Sequence, residues 1–129
     1  MECVIERRIV VCRCSLLICA CLVTVASVMP QVSTGSTKVF FSVGLDKILH
    51  FLAFGTVGFF TIGGLEKPSG WRVLAALACA ALFGGFIESV QFFIPGRTFN
   101  PLDIAANLLG LLLGALAWQG VIRFVAQRR

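Results

Sequence analysis

A chain of 129 residues in which 58% are hydrophobic and only 13% charged is too apolar for an ordinary soluble domain, and its length limits it to one domain. Its net charge of +5 does not mark a nucleic-acid surface, because the 11 Lys and Arg residues stand near the ends of apolar stretches instead of forming one patch. Apolar runs of about 20 residues cross a bilayer as helices, and the two-residue alternation of barrel strands is absent. The composition therefore predicts an all-α integral membrane protein, a compact bundle of four transmembrane helices.

Residues 1–8 form a short polar lead containing Arg7 and Arg8. The first span, 9–29, is interrupted by Arg13, whose long side chain can snorkel back to the interface. A basic lead before an apolar run also has the form of a signal peptide. No small-x-small cleavage site closes it, and the I-C-A-C ending at Cys21 matches a lipoprotein box only loosely, so a retained span is expected. Cys12, Cys14, Cys19 and Cys21 lie in this run, with Cys3 and Cys79 elsewhere. Residues two apart on a helix point in different directions and are not readily bridged, and the C-x-C pairs lack a nearby His or carboxylate. They read as small apolar fillers.

Pro30 ends the first span, and 30–45, with its Ser, Thr and Gly content and the Phe40-Phe41 pair, reads as an outer loop lying partly on the membrane surface. A core over 46–124 follows, with spans at 46–65, 73–94 and 102–124. Asp46 at the start of its span is suited to capping a helix N-terminus. The E-K-P-S-G of Glu66–Gly70 is a tight connection, Trp71 beside Arg72 marks an interface, and Pro95-Gly96 stops the third span. Residues 125–129 are a basic tail. With the N-terminus inside, eight basic residues (Arg7, Arg8, Arg13, Lys67, Arg72, Arg123, Arg128, Arg129) fall on the cytoplasmic side and three (Lys38, Lys47, Arg97) outside. The positive-inside rule thus predicts two cytoplasmic termini.

That topology collects the strongly polar residues of the last three spans in the outer leaflet. Asp46 and His50 are four apart, Glu88 and Gln91 three apart, Asp103 and Asn107 four apart, so each helix presents a single polar stripe. Asn107, Gly110 and Gly114 continue one face in small-x-x-x-small spacing, and Gly84-Gly85 lie one turn before Glu88. The three spans are expected to pack around an outward-opening pocket with Arg97 on the turn above it. Two readings follow. In the structural one, Arg97 pairs with Glu88 or Asp103, His50 hydrogen-bonds a carboxylate, and Gln91 and Asn107 bridge helices. In the functional one, His50, Glu88 and Asp103 are candidate catalytic groups, and Asp46, Lys47, Gln91, Arg97 and Asn107 hold a ligand. His50 one turn from Asp46 suits a proton shuttle, Glu88 among Phe86, Ile87, Phe92 and Phe93 suits a general acid or base, and the Arg97 fork suits phosphate or carboxylate. His50, Glu88 and Asp103 are acceptable metal ligand types without a diagnostic spacing, so neither metal nor cofactor is expected. The P-S-G of Pro68–Gly70 is a fragment of lipid phosphatase motifs, but Trp71 stands where a histidine is needed.

The string Asp46-Lys47-x-x-His50-Phe51-x-x-Phe54, then Glu88-x-x-Gln91-x-Phe93-x-Pro95-x-Arg97-x-Phe99-x-x-Asp103-x-x-Ala106-Asn107-x-x-Gly110-x-x-x-Gly114, resembles the signature of VanZ-like membrane proteins. The resemblance covers the second to fourth spans and takes nothing from the first. It implies a small multi-pass protein of the bacterial inner membrane, in a family named for an accessory protein linked to low-level teicoplanin resistance. It supplies no reaction. Binding of an anionic or glycosylated envelope component is the function expected, with membrane lipids or lipid-linked envelope precursors as partners. Catalysis on a lipid headgroup and a structural or partner-binding role, as a homo-oligomer or beside another membrane protein, are the alternatives.

Overall fold

The computed structural model describes residues 2–29, 39–95, 97 and 99–128, with side chains of 2, 4 and 39–45 left aside. These residues hold four helices and no strand: α1 (Glu2–Val28), α2 (Val39–Gly63), α3 (Gly70–Gln91) and α4 (Pro101–Gln127). Three of them, α1, α3 and α4, are long and apolar enough to cross a membrane. The 25-residue α2 carries Asp46, Lys47 and His50 in its first half. Large apolar side chains face outward all round, including Leu17, Leu22, Leu82, Phe86 and Leu109. That inside-out pattern is the one a lipid solvent requires, and the protein is a membrane protein.

The helices reach beyond the expected boundaries. The helix α1 begins at Glu2, and α4 continues through the expected basic tail to Gln127. The start of α2 at Val39 places Phe40 and Phe41 in helix instead of surface loop, and it corrects the reading of Asp46. Asp46 lies two turns into α2, too far from the first free N–H groups to cap them. An apolar V-F-F-S-V-G-L run can extend the helix upstream of the first charge, which is why the charge was a poor boundary marker. The rest of the expected loop, 30–38, lies outside the described residues.

Helices α2 and α4 form the closest pair, through contacts in which a methyl group has no room. A Cβ on Gly110 would meet the Phe51 carbonyl, one on Gly114 the Gly55 carbonyl, and one on Gly58 the Leu111 carbonyl. Between lipid-bathed helices there is no hydrophobic drive to associate, so dispersion across closely approached backbones carries the packing. The Gly110/Gly114 face was legible in the sequence; its partners Gly55 and Gly58 were not singled out. Of the Gly84-Gly85 pair only Gly84 packs, under the Phe54 ring at 2.7 Å from a built Cβ, whereas Gly85 meets open space.

Arginines tie α1 to this pair. Arg13 Nε donates to the Gly64 carbonyl (3.2 Å) and Arg8 Nη2 to the Leu65 carbonyl (3.3 Å), satisfying free carbonyls just past the end of α2. Arg13 also pairs with Glu66 at 3.0 Å, so it does more than snorkel. Beside it, Cys12 packs against Gly63, and Trp118 lies edge-on to Phe59 at 4.9 Å. Cys12 is the buried filler among the cysteines; Cys3, Cys14, Cys21 and Cys79 face outward.

These contacts generate a test. Gly110→Ala and Gly114→Ala should each lower stability by about 1–3 kcal/mol, because the obstructing atoms are backbone and cannot swing aside. Gly85→Ala, with open space at its Cβ, should be neutral or mildly stabilising. Thermal unfolding of the purified variants in one detergent checks both.

Candidate functional site

All eight polar residues of the sequence constellation lie at one end of the bundle, where α2 and α4 begin and α1 and α3 end. Helix periodicity supplies each stripe, and the antiparallel order supplies the convergence. Within the end, Glu88 is fully buried (0% exposed), Gln91, Asn107 and Asp103 nearly so, and His50 is 9% exposed. Asp46 and Lys47 form the accessible edge, with side chains 31% and 25% exposed.

The residues sort into two linked networks. The first spans α2 and α4. Lys47 Nζ donates to Asp103 Oδ1 at 2.9 Å, and His50 Nδ1 lies 3.1 Å from Asn107 Oδ1. An amide oxygen only accepts, so His50 carries its proton on Nδ1 and leaves Nε2 facing Asp46 Oδ1 at 3.9 Å, beyond hydrogen-bond length. Asp103 sits in the first turn of α4, behind Pro101 and the N-cap Asn100. The helix-start charge expected of Asp46 therefore belongs to Asp103, whose carboxylate the α4 dipole favours.

The second network joins α3, α4 and α1. Glu88 Oε1 accepts the Asn100 backbone N–H at 3.1 Å. In the amide orientation that satisfies both neighbours, Gln91 donates to Glu88 Oε2 (3.2 Å) and accepts from Arg97 Nη1 (3.3 Å). Arg97 then reaches α1, with Nη2 donating to the Ala26 carbonyl (2.9 Å) and Nε to the Met29 carbonyl (3.4 Å). It caps the C-terminal end of α1, a favourable place for a cation. Three of its five donors are engaged, and two remain. Glu88 lies within electrostatic reach of Asp103, His50 and Asp46, which couples the networks.

Several expectations are refined by this geometry. Among the described residues Arg97 pairs with neither Glu88 nor Asp103; Lys47 takes Asp103, and Asn100 and Gln91 take Glu88. His50 bonds an amide, not a carboxylate. Asn107 bridges α4 to α2 through His50, whereas Gln91 bonds Glu88 on its own helix and Arg97 in the turn that follows. The expected open recess is largely filled by its own side chains, reachable past Asp46 and Lys47. Two surface grooves among the described residues lie away from this end: one beside Arg13 and Glu66 at the opposite end, one apolar along α2 and α4. The ligand types that converge for a cation are Asp46, His50 and Asp103, with Glu88 outside that group.

Asn100 is the residue that sequence reasoning passed over. It caps α4 through its side chain, which accepts the Leu102 N–H at 3.1 Å, and it holds Glu88 through its own N–H. The Asn-Pro-x-Asp spelling of a helix start was the available signal.

A sequence profile described as VanZ/LLP1 matches residues 10–123, most of the chain. The chain belongs to the VanZ/LLP1 family. The VanZ/LLP1 match takes in most of α1 as well as the three helices that carry the polar string, so the first helix is part of the family unit. A curated relative, an uncharacterized protein of the fission yeast Schizosaccharomyces pombe, is 38% identical over 73 residues. That match takes in 55% of this chain and 44% of the relative, so the similarity spans less than half of the relative's length. No solved structure matches the chain.

The two networks respond differently to substitution. Glu88→Ala empties a fully buried site and strands the half-buried Asn100 N–H, and should lower stability by about 1–3 kcal/mol. Asp46→Asn, at the accessible edge with no hydrogen bond among the described residues, should change it by no more than about 0.5 kcal/mol. Unfolding of the two variants side by side measures the difference.

Proposed function

We propose that this VanZ/LLP1 protein uses its polar end to bind an anionic or glycosylated envelope component, carried on a lipid, from the outer face of the bacterial inner membrane. In this reading α2 also spans, four crossings return both termini to the cytoplasm, and the basic residues divide eight inside to three outside. The observation that carries it is the composition of one end of an otherwise apolar bundle. Two cations, three carboxylates, one imidazole and two amides gather there, most of them in two hydrogen-bonded networks, with Asp46 and Lys47 at the accessible edge. Interhelical polar contacts average only about 0.6 kcal/mol, while each charge placed in a bilayer costs about 2.5–3.5 kcal/mol. Holding helices in register does not need so many charges. Lys47 and the two remaining Arg97 donors supply the anion contacts, while Asn107 and Gln91, enclosed behind them, hold His50 and Arg97 in place.

A contribution to glycopeptide tolerance or envelope homeostasis follows if the component is a cell-wall precursor. Alanine at Arg97, Asp103 or Glu88, with protein level held at the parental value, should abolish an envelope or teicoplanin-sensitivity phenotype in a strain that depends on this gene. Full function of all three variants at normal abundance would overturn the reading.

A second reading is favoured by one observation, the orientation of His50. With Nδ1 held by Asn107, the imidazole turns Nε2 toward Asp46 just inside the accessible edge, an arrangement suited to acid/base chemistry on a lipid headgroup, with Lys47 or Arg97 steadying developing negative charge. Turnover of labelled envelope lipids by the purified protein, lost in His50→Gln, separates catalysis from binding.

A further inference from the structure

We infer that Asp46, His50 and Asp103 form a binding site for one divalent transition-metal ion of the Mn2+ or Zn2+ class. One ligand atom from each lies within 4.8 Å of the others. A single point can be placed within about 2.8 Å of three atoms so arranged, so inward shifts of about 0.7 Å reach metal–ligand bonds of about 2.1 Å. One imidazole and two carboxylates are a donor set for first-row divalent ions, and three protein ligands leave positions open for water or a ligand oxygen.

The orientation of the histidine is the independent observation. His50 is 91% buried on the α2–α4 contact, and its Nδ1–H is spent on Asn107 Oδ1 at 3.1 Å. Its Nε2 is thereby turned toward a carboxylate oxygen at 3.9 Å, a separation too long for a hydrogen bond. A cation placed between Nε2 and that oxygen would be held by both. An N–H held by an amide or carboxylate on the far side of the ring is the usual support of a metal-bound histidine. Asn107 is that support here, itself 3% exposed and locked in the α2–α4 contact beside Gly110.

Lys47 supplies the counter-charge in the metal-free protein. Its ammonium, 2.9 Å from Asp103 Oδ1, sits on a flexible stem at the accessible edge and can withdraw when the ion enters. The metal then offers its open positions to the same headgroup-depth region as the anion contacts, although its binding is read without any lipid and so stands or falls separately from the envelope-ligand reading.

The test is Mn2+ titration of the full-length protein purified in detergent and stripped with chelator, followed by electron paramagnetic resonance of the free ion and repeated by competition with Zn2+. Saturable binding of one ion per chain is expected. His50→Gln and Asp103→Asn should weaken it at least about 100-fold, and Asn107→Leu about 10- to 100-fold, as loss of a supporting hydrogen bond does. Lys47→Met should tighten it about tenfold by removing a neighbouring positive charge, a gain that misfolding cannot imitate. Nitrogen modulation of the bound Mn2+ signal, absent in His50→Gln, identifies the imidazole. No saturable Mn2+ or Zn2+ binding by the parent chain, or undiminished affinity in both His50→Gln and Asp103→Asn, overturns the site, as does an unchanged affinity in Lys47→Met.

Discussion

The close approach of α2 and α4 is the constraint from which the rest of the molecule follows. Gly58, Gly110 and Gly114 each set backbone against backbone, with Leu111, Phe51 and Gly55 opposite. At that separation the polar stripes of the two helices, one turn further toward their N-termini, fall within hydrogen-bond distance. Lys47 meets Asp103, and His50 meets Asn107. A larger residue in the seam would part the helices by more than the tolerance of either bond. The apolar seam and the polar end are therefore one device, because dispersion between small residues sets the spacing that the charges require.

Arginine does the complementary work at the helix ends. Arg8 and Arg13 of α1 reach the carbonyls that end α2, and Arg97 reaches those that end α1. Each long side chain brings charge to a terminus where unpaired carbonyls carry partial negative charge, which suits both groups in a poorly polar medium. The result is a first helix fastened to the bundle at both of its ends, in keeping with a family match that takes in most of it.

Glu88 and Asp103 show how two acidic side chains at the same end of the bundle take different parts. Glu88 is enclosed, its oxygens occupied by the Asn100 N–H and the Gln91 amide, and it clasps the end of α3 to the start of α4. Asp103 lies toward the edge, paired with a lysine that can move. The first is a fixed joint and the second an exchangeable contact, so a ligand or ion is better able to compete for the carboxylates of α2 and α4 than for that of α3.

Much of this was legible in the residues alone. Composition required a helical membrane protein, the three- and four-residue offsets required single polar stripes, and the order of the helices brought those stripes to one end. The small face of α4 was visible as Gly110 and Gly114. Partner choice was not visible. Whether Asp103 would take Lys47 or Arg97, whether His50 would take a carboxylate or an amide, and whether Asp46 would cap a helix or stand inside one depended on contacts between residues as much as 56 or 57 positions apart. Local periodicity states which face a side chain occupies. Which partner it meets across a gap of about 3 Å is set by interhelical distance and rotation, and those emerge only when the glycine seam has closed.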